Sequence, residues 1–187
     1  MFKKEGAFKS RGAIVEFIKF VVITIVIVVP IRLWVAQPFI VSGSSMEPNF
    51  SSGEYLIIDE FSYHFRQPQR GEVVVFRFPE NPSKFFIKRV IALPNETIEI
   101  RNNKVIIYNN THPNGFVLDE SYINRNTVMS DMKMKLGPDQ YFVMGDNRLM
   151  SLDSRRWGAL TENFIVGRAL LRLWPVAVAT AYLPGQN

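Results

Sequence analysis

"TIEIRNNKVIIY", Thr97 to Tyr108, decides the fold class of this chain. Ile98 and Ile100 alternate with polar neighbours, the period-two signature of a strand with one buried face. Asn102–Asn103 follows, and Asn is the commonest non-glycine residue at positive φ. The apolar run then resumes at Val105, so the stretch predicts a β-hairpin closed by a two-residue turn. Working outward, similar short runs rich in β-branched and aromatic residues recur between Gly, Pro and Asn breaks. They are "EYLIIDEF" (Glu54–Phe61), "EVVVFRF" (Glu72–Phe78) and "KFFIKRVIAL" (Lys84–Leu93). "QYFVMGDN" (Gln140–Asn147) reads as a strand leaving into a loop, and "FIVGRALLRLWP" (Phe164–Pro175) as a last long strand. Residues 113–138 are polar and without pattern, which predicts a surface excursion. The chain shows no internal repeat, glycine-rich phosphate loop or heptad, so one mainly β domain is expected.

The composition narrows the function classes. With 187 residues, 47% hydrophobic and 13% aromatic, the chain can build a core and is not disordered. Its net charge of +5 accompanies no helix-turn-helix, zinc or RNA-reading signature, so nucleic acid is not an expected partner. The absence of cysteine excludes a disulfide scaffold, thiolate zinc sites and a cysteine nucleophile. With only His64 and His112, a histidine metal cluster is excluded too, and neither a metal nor another cofactor is expected.

The N-terminal part differs from the rest. "FVVITIVIVVPI" (Phe20–Ile31) carries no charge, and with its apolar flanks it reaches the roughly twenty residues that cross a bilayer core. Lys19 and Arg32 lie near its ends, Pro30 would kink its last turns, and Trp34 suits a membrane interface. A cleaved secretory signal would end in a small-x-small site, whereas "LWVAQP" offers Ala36 with Trp34 two residues before it. A buried soluble helix would rarely be so uniformly Val and Ile. Cations cluster ahead of the segment (Lys3, Lys4, Lys9, Arg11, Lys19), and none follows Arg32 until Arg66. The expected order is therefore a cytoplasmic N-terminus over 1–16, a transmembrane signal-anchor helix over 17–37 and an extracytoplasmic β domain over 38–187.

Three constellations could carry chemistry. "SGSSM" (Ser42–Met46), directly after the apolar segment, reads either as a linker or as the seat of a serine nucleophile. A Ser-His-Asp triad would need His64 or His112, and both sit in turn-like polar contexts without a partner motif. Lysine can activate serine instead, provided that burial lowers its pKa. In "SKFFIKRVIALP", Lys88 shares a strand face with Phe86 and Val90, and Arg89 shares the other with Ile87 and Ile91. Only lysine of the two can lose its proton. The residues alone leave open whether Lys88 is a buried base or an edge-strand cation placed against aggregation. In "GDNRLMSLDSRRWG" (Gly145–Gly158), Asp146, Arg148, Asp153 and Arg155 read either as a solvated loop or as a rigid ion-pair network.

"SGSSMEP", "RGEVVVFRFP" (Arg70–Pro79), "FIKRVIALP" (Phe86–Pro94) and "GDNRLMSLDSRRWG" stand in the order found in bacterial type I signal peptidases. The chain resembles the short, single-anchor members typical of Gram-positive bacteria, over nearly its whole length. The resemblance implies a catalytic domain of coiled antiparallel sheets behind one transmembrane helix. It implies Ser45 as nucleophile, Lys88 as general base and Ser151 as the hydroxyl that orients the lysine amine. Asp153 and Arg155 match a supporting ion pair, with Arg148 in the same loop, and Asp146 matches a further structural acid. The implied substrates are signal peptides of exported preproteins, cut after small-x-small sequences. They would lie extended between Phe39–Ser44 and Phe85–Lys88, with Phe39, Val41, Phe86 and Ile87 lining shallow pockets. The Met46 neighbourhood and the apolar strand surface would meet the lipid interface.

Two positions depart from the family. Some members place a serine of the oxyanion hole where this chain has Gly43, which shifts the donor to the Ser45 backbone N–H. The glycine usual after "LP" is Asn95, which tolerates the positive φ of that turn. A different class of function is a catalytically silent, membrane-anchored peptide-binding protein of the same fold, against which intact Ser45, Lys88 and Ser151 argue.

Overall fold

The computed structural model describes residues 7–30, 36–123, 128–175 and 180–181. Its strands are β1 (Ala36–Ile40), β2 (Tyr55–Asp59), β3 (Val73–Phe78), β4 (Asn81–Ala92), β5 (Thr97–Arg101), β6 (Lys104–Tyr108), β7 (Phe116–Val117), β8 (Met132–Lys135), β9 (Gln140–Met144), β10 (Leu160–Thr161), β11 (Ile165–Trp174) and β12 (Thr180–Ala181). Every pairing is antiparallel. One sheet runs β1-β2-β11-β3-β4-β9-β10 with β12 beside β11, and a four-stranded sheet runs β7-β6-β5-β8. The mainly β expectation therefore holds.

The hairpin at Thr97–Tyr108 is β5–β6. Asn102 and Asn103 sit at φ 50° and 60°, the doubly positive turn that matches strand twist. Ile98, Ile100, Val105 and Ile107 from this hairpin are fully buried against Ile91, Ala92, Phe142 and Met144 of the large sheet. Asn95, at φ 65°, makes the turn that leads from β4 into the hairpin.

The unbroken "VVVF" of β3 reflects burial on both faces. Val73 and Val75 pack with Val41, Met46, Phe50 and Leu56, whereas Val74 and Phe76 pack with Val90, Tyr141 and Val143. β4 changes character along its length. Residues 81–88 pair with β3 alone, and β9 joins the other side only from Arg89. β1 likewise ends the sheet and pairs only with β2. Three strands separate β1 from β4, yet the Phe39 and Phe85 rings lie 5.4 Å apart. The sheet has coiled, as right-handed strand twist dictates, until two unpaired strand edges face each other.

One expectation, that of a patternless excursion, is corrected here. The excursion over 113–138 is part of the fold, because it supplies β7, β8 and the buried Met129 and Leu136. "MKMKL" (Met132–Leu136) alternates as a strand should, with both methionines packed on the core and Lys133 and Lys135 exposed. The N-terminal helix α1 runs Ala7–Pro30, starting ten residues before the expected segment, while Gln37 already belongs to β1. Side chains are described along α1 only for 12–26, and over the described residues no helix is long and apolar enough to cross a membrane. The basic start at Lys3 and Lys4 and the interfacial Arg32 and Trp34 lie outside the described residues.

Candidate active site

Ser45 sits in the turn that leaves β1. Gly43 reverses the chain at φ 91°, where an L side chain is strained, and Glu47 N–H closes the turn on the Ser44 carbonyl at 3.2 Å. Phe50 N–H then donates to the Met46 carbonyl at 2.9 Å, and both side chains are fully buried. Full burial of such side chains stabilises by about 2 kcal/mol each, which ties down the turn and leaves Ser45 at the surface of a cleft. Met46 is thus a core residue with a fully buried side chain.

Lys88 comes from β4, just before the strand becomes paired on both sides. It is only 4% exposed. Its Nζ lies 2.8 Å from Ser45 Oγ, donates to the Ile87 carbonyl at 2.8 Å and stands 5.4 Å from the Phe86 ring centre. Burial pushes the amine from 10.5 down to about 8, and the Asp153 and then the Asp146 carboxylates pull it partly back. Lys88 is thus a buried lysine and not an exposed edge cation.

The loop after β9 fastens this pair to the domain. Asn147 N–H donates to the Ser45 carbonyl at 3.0 Å. A Cβ on Gly145 would fall 2.4 Å from that carbonyl and 2.3 Å from Ser151 Oγ, so only glycine fits between them. Asp153 caps the helix α2 (Ser154–Trp157) and accepts from Gly145 N–H at 3.0 Å and from Arg155 Nε and Nη2 at 2.8 Å each. Burial would raise its pKa, but Arg155, Gly145 N–H and Ser151 together hold the carboxyl below its ordinary value. Arg155 also donates to the Arg148 carbonyl at 2.7 Å. The rigid-network reading of this loop therefore stands over the solvated one.

Sequence reasoning missed the partners of two members. Asp146 pairs with Arg89, whose Nε and Nη2 lie 2.8 and 2.7 Å from its oxygens, and Asn49 Nδ2 adds a third bond at 2.8 Å. Arg148 is buried against Glu120 at 2.6 Å, and Asn49 also donates to the Tyr122 carbonyl. The excursion thus closes over the network from outside, which no local pattern announces. Ser151 departs from expectation. Lys88 directs its hydrogen bonds to Ser45 and Ile87, while Ser151 Oγ lies buried over Gly145 on the side of Asp153.

The cleft beside Ser45 has a volume of about 590 Å³ and runs between the free edges of β1 and β4. Phe39, Val41, Phe86 and Ile87 all line it, with Ile40, Phe85, Met150 and Leu152 in addition. Val41 is largely absorbed by the core at 5% exposed. Gly43 lines the cleft too, but its N–H turns to Ser52 Oγ at 3.4 Å. Among the described residues the Ser45 N–H has no hydrogen-bond partner.

The family model "Signal peptidase, peptidase S26" matches residues 14–174. A signal peptidase I of Leptolyngbya laminosa is 37% identical over 175 residues, 90% of this chain and 83% of that protein. A signal peptidase I P of Bacillus subtilis subsp. natto is 34% identical over 187 residues, 94% of this chain and 96% of that one. A solved signal peptidase I from Enterococcus faecalis V583 is 31% identical and covers 55% of this chain and 97% of its own, with a TM-score of 0.48. On the family match and these identities, the chain belongs to the signal peptidase family, peptidase S26.

Proposed function

We propose that this protein is a membrane-bound serine endopeptidase that removes signal peptides from exported preproteins after small-x-small sites, with Ser45 as nucleophile and Lys88 as general base. The observation that carries the reading is the 2.8 Å approach of Lys88 Nζ to Ser45 Oγ at the end of a strand-lined cleft. A lysine pKa of about 8 leaves roughly 300-fold more neutral amine at pH 7 than a value of 10.5 would.

In the proposed reaction neutral Lys88 takes the Ser45 hydroxyl proton as Oγ attacks the scissile carbonyl. The Ser45 N–H, unbonded among the described residues, faces the developing oxyanion. Collapse passes the proton from Lys88 to the departing amine and leaves an acyl-enzyme. Lys88 then deprotonates water, which attacks the ester, and Ser45 regains its proton. Asp153 and Asp146 stabilise the transient ammonium. The two free strand edges suit a substrate that adds as a strand, its main chain bonded and its small side chains set into shallow pockets.

The membrane assignment rests on two features. α1 has 24 residues, about 36 Å at 1.5 Å per residue, and its apolar Phe17, Phe20 and Val26 are more than 60% exposed. Ile40, Tyr55 and Trp174 are cross-strand partners on β1, β2 and β11, so they share one sheet face, and each is more than 40% exposed. Such an apolar row beside the cleft suits a lipid interface, with the N-terminus on the cytoplasmic side.

Purified chain in detergent micelles should cut a preprotein peptide after its small-x-small site, while Ser45→Ala and Lys88→Ala should fall at least a thousandfold. Binding of such peptides by the wild type without cleavage would instead favour the silent peptide-binding reading.

A further inference from the structure

The free edge of β4 stops at the dyad. Residues 81–88 pair with β3 alone, but from Arg89 onward β9 occupies the other side, with Met144 opposite Arg89. A peptide laid along β4 up to Lys88 therefore runs head-on into the end of β9. The residues that follow the cut find no edge to pair with there, so they have to leave the sheet and cross the loop that follows β9.

Two apolar side chains of that loop stand at the crossing. Met150 and Leu152 line the cleft together with Ser45 and Lys88, yet they are 67% and 49% exposed. Ser151 between them turns inward, and its Oγ and the Ser45 carbonyl both lie within 2.4 Å of the point that a Gly145 Cβ would take. The loop is held on both sides of this contact. Asn147 N–H donates to the Ser45 carbonyl at 3.0 Å, Met150 N–H donates to the Asn147 carbonyl at 3.2 Å, and Arg155 grips the Arg148 carbonyl at 2.7 Å. Met150 and Leu152 thus form a fixed apolar step beside Ser45 that the dyad does not use, and exposed apolar surface on a fixed loop marks a binding surface. Leu149 is as exposed as Met150 but does not line the cleft.

Resting on the peptidase reading above, we propose that Met150 and Leu152 form a binding site for the segment after the cut, which favours apolar side chains in the first two residues of the released chain. Two extended residues span about 7 Å, the reach of a step that borders Ser45 directly. Selection on this side of the scissile bond is then made by the loop that fastens Ser45 to the domain, and it is independent of the strand edges that hold the residues before the cut.

The test uses the full chain in detergent micelles and two preprotein peptides identical up to the scissile bond, followed there by Leu-Leu in one and Ser-Ser in the other. Wild type should prefer the Leu-Leu peptide at least about fivefold in kcat/KM, and in Met150→Ser and Leu152→Ser that preference should fall below about twofold. Met150→Leu, which keeps an apolar side chain, should retain it, and so should Leu149→Ser, which alters the same loop outside the cleft. Three results would overturn the inference alone. They are wild-type cleavage of the Ser-Ser peptide at an equal or higher rate, a preference unchanged in both Met150→Ser and Leu152→Ser, and a loss in Leu149→Ser as large as in Met150→Ser. The second would assign the preference to partition of the peptide into the micelle, and the third to contact of the loop with lipid. A wild-type chain that cut neither peptide would overturn the peptidase reading, and the inference with it.

Discussion

Replacing Lys88 by methionine should abolish cleavage and, at neutral pH, make the protein more stable. The unfolded lysine holds its proton up to about 10.5, whereas the folded one releases it near 8. Between those values the folded state binds fewer protons than the unfolded one, so wild-type stability rises with pH across this window. At pH 7 both forms are protonated and the difference of about 2.5 units corresponds to about 3 kcal/mol of destabilisation carried by the buried ammonium. Lys88 is 4% exposed, so solvent screening discounts this little. Methionine has similar length and no charge to bury. It also removes a partner from Ser45 Oγ and the Ile87 carbonyl, a loss of about 1 kcal/mol at any pH. Lys88→Met should therefore exceed wild type by about 2 kcal/mol at pH 7, and the gap should shrink by about 2 kcal/mol by pH 9.5. Urea unfolding of the two proteins, followed by tryptophan fluorescence at several pH values, measures this gap. A gap that stayed constant to within about 0.5 kcal/mol from pH 7 to 9.5 would refute the buried, depressed lysine. Wild-type kcat/KM should rise with pH to a plateau through a midpoint near 8, the same titration read kinetically.

Gly145→Ala should lower kcat about a hundredfold while circular dichroism stays that of a folded β protein, because its Cβ would meet the Ser45 carbonyl at 2.4 Å and displace the proposed nucleophile. Full kcat in that variant would show that the loop does not position Ser45. Asp146→Asn should cost about 3 kcal/mol, since it leaves the 7% exposed Arg89 without its carboxylate. Thermal melts check this, and a loss under about 1 kcal/mol would mean that Arg89 finds another partner.

Much of this protein is legible along the chain, wherever the deciding interaction is local. The β5–β6 hairpin follows from alternating isoleucines and two asparagines able to take positive φ. "MKMKL" carried an equally regular alternation, but only four of its residues pair, too few to stand out from the polar excursion around it. The Asp153–Arg155 pair spans two residues, and the family resemblance implies it. Arg89–Asp146, at 57 residues, and Arg148–Glu120 were not, because nothing local marks which buried cation meets which acid.

The sequence by itself determined the residue types available to the proposed reaction: an apolar strand with a lysine, serines around a glycine turn, two histidines in polar turn-like contexts and no cysteine. Whether Lys88 is buried, and at what pKa, was decided only in three dimensions, because desolvation depends on what packs across 43 residues of chain between Ser45 and Lys88. The cleft is likewise tertiary. Strand twist accumulates over β2, β11 and β3 until the free edge of β1 faces that of β4, and only then do Phe39 and Phe85 touch. Alternation specifies which face a side chain takes; the coiling of the whole sheet specifies which other edge that face will meet.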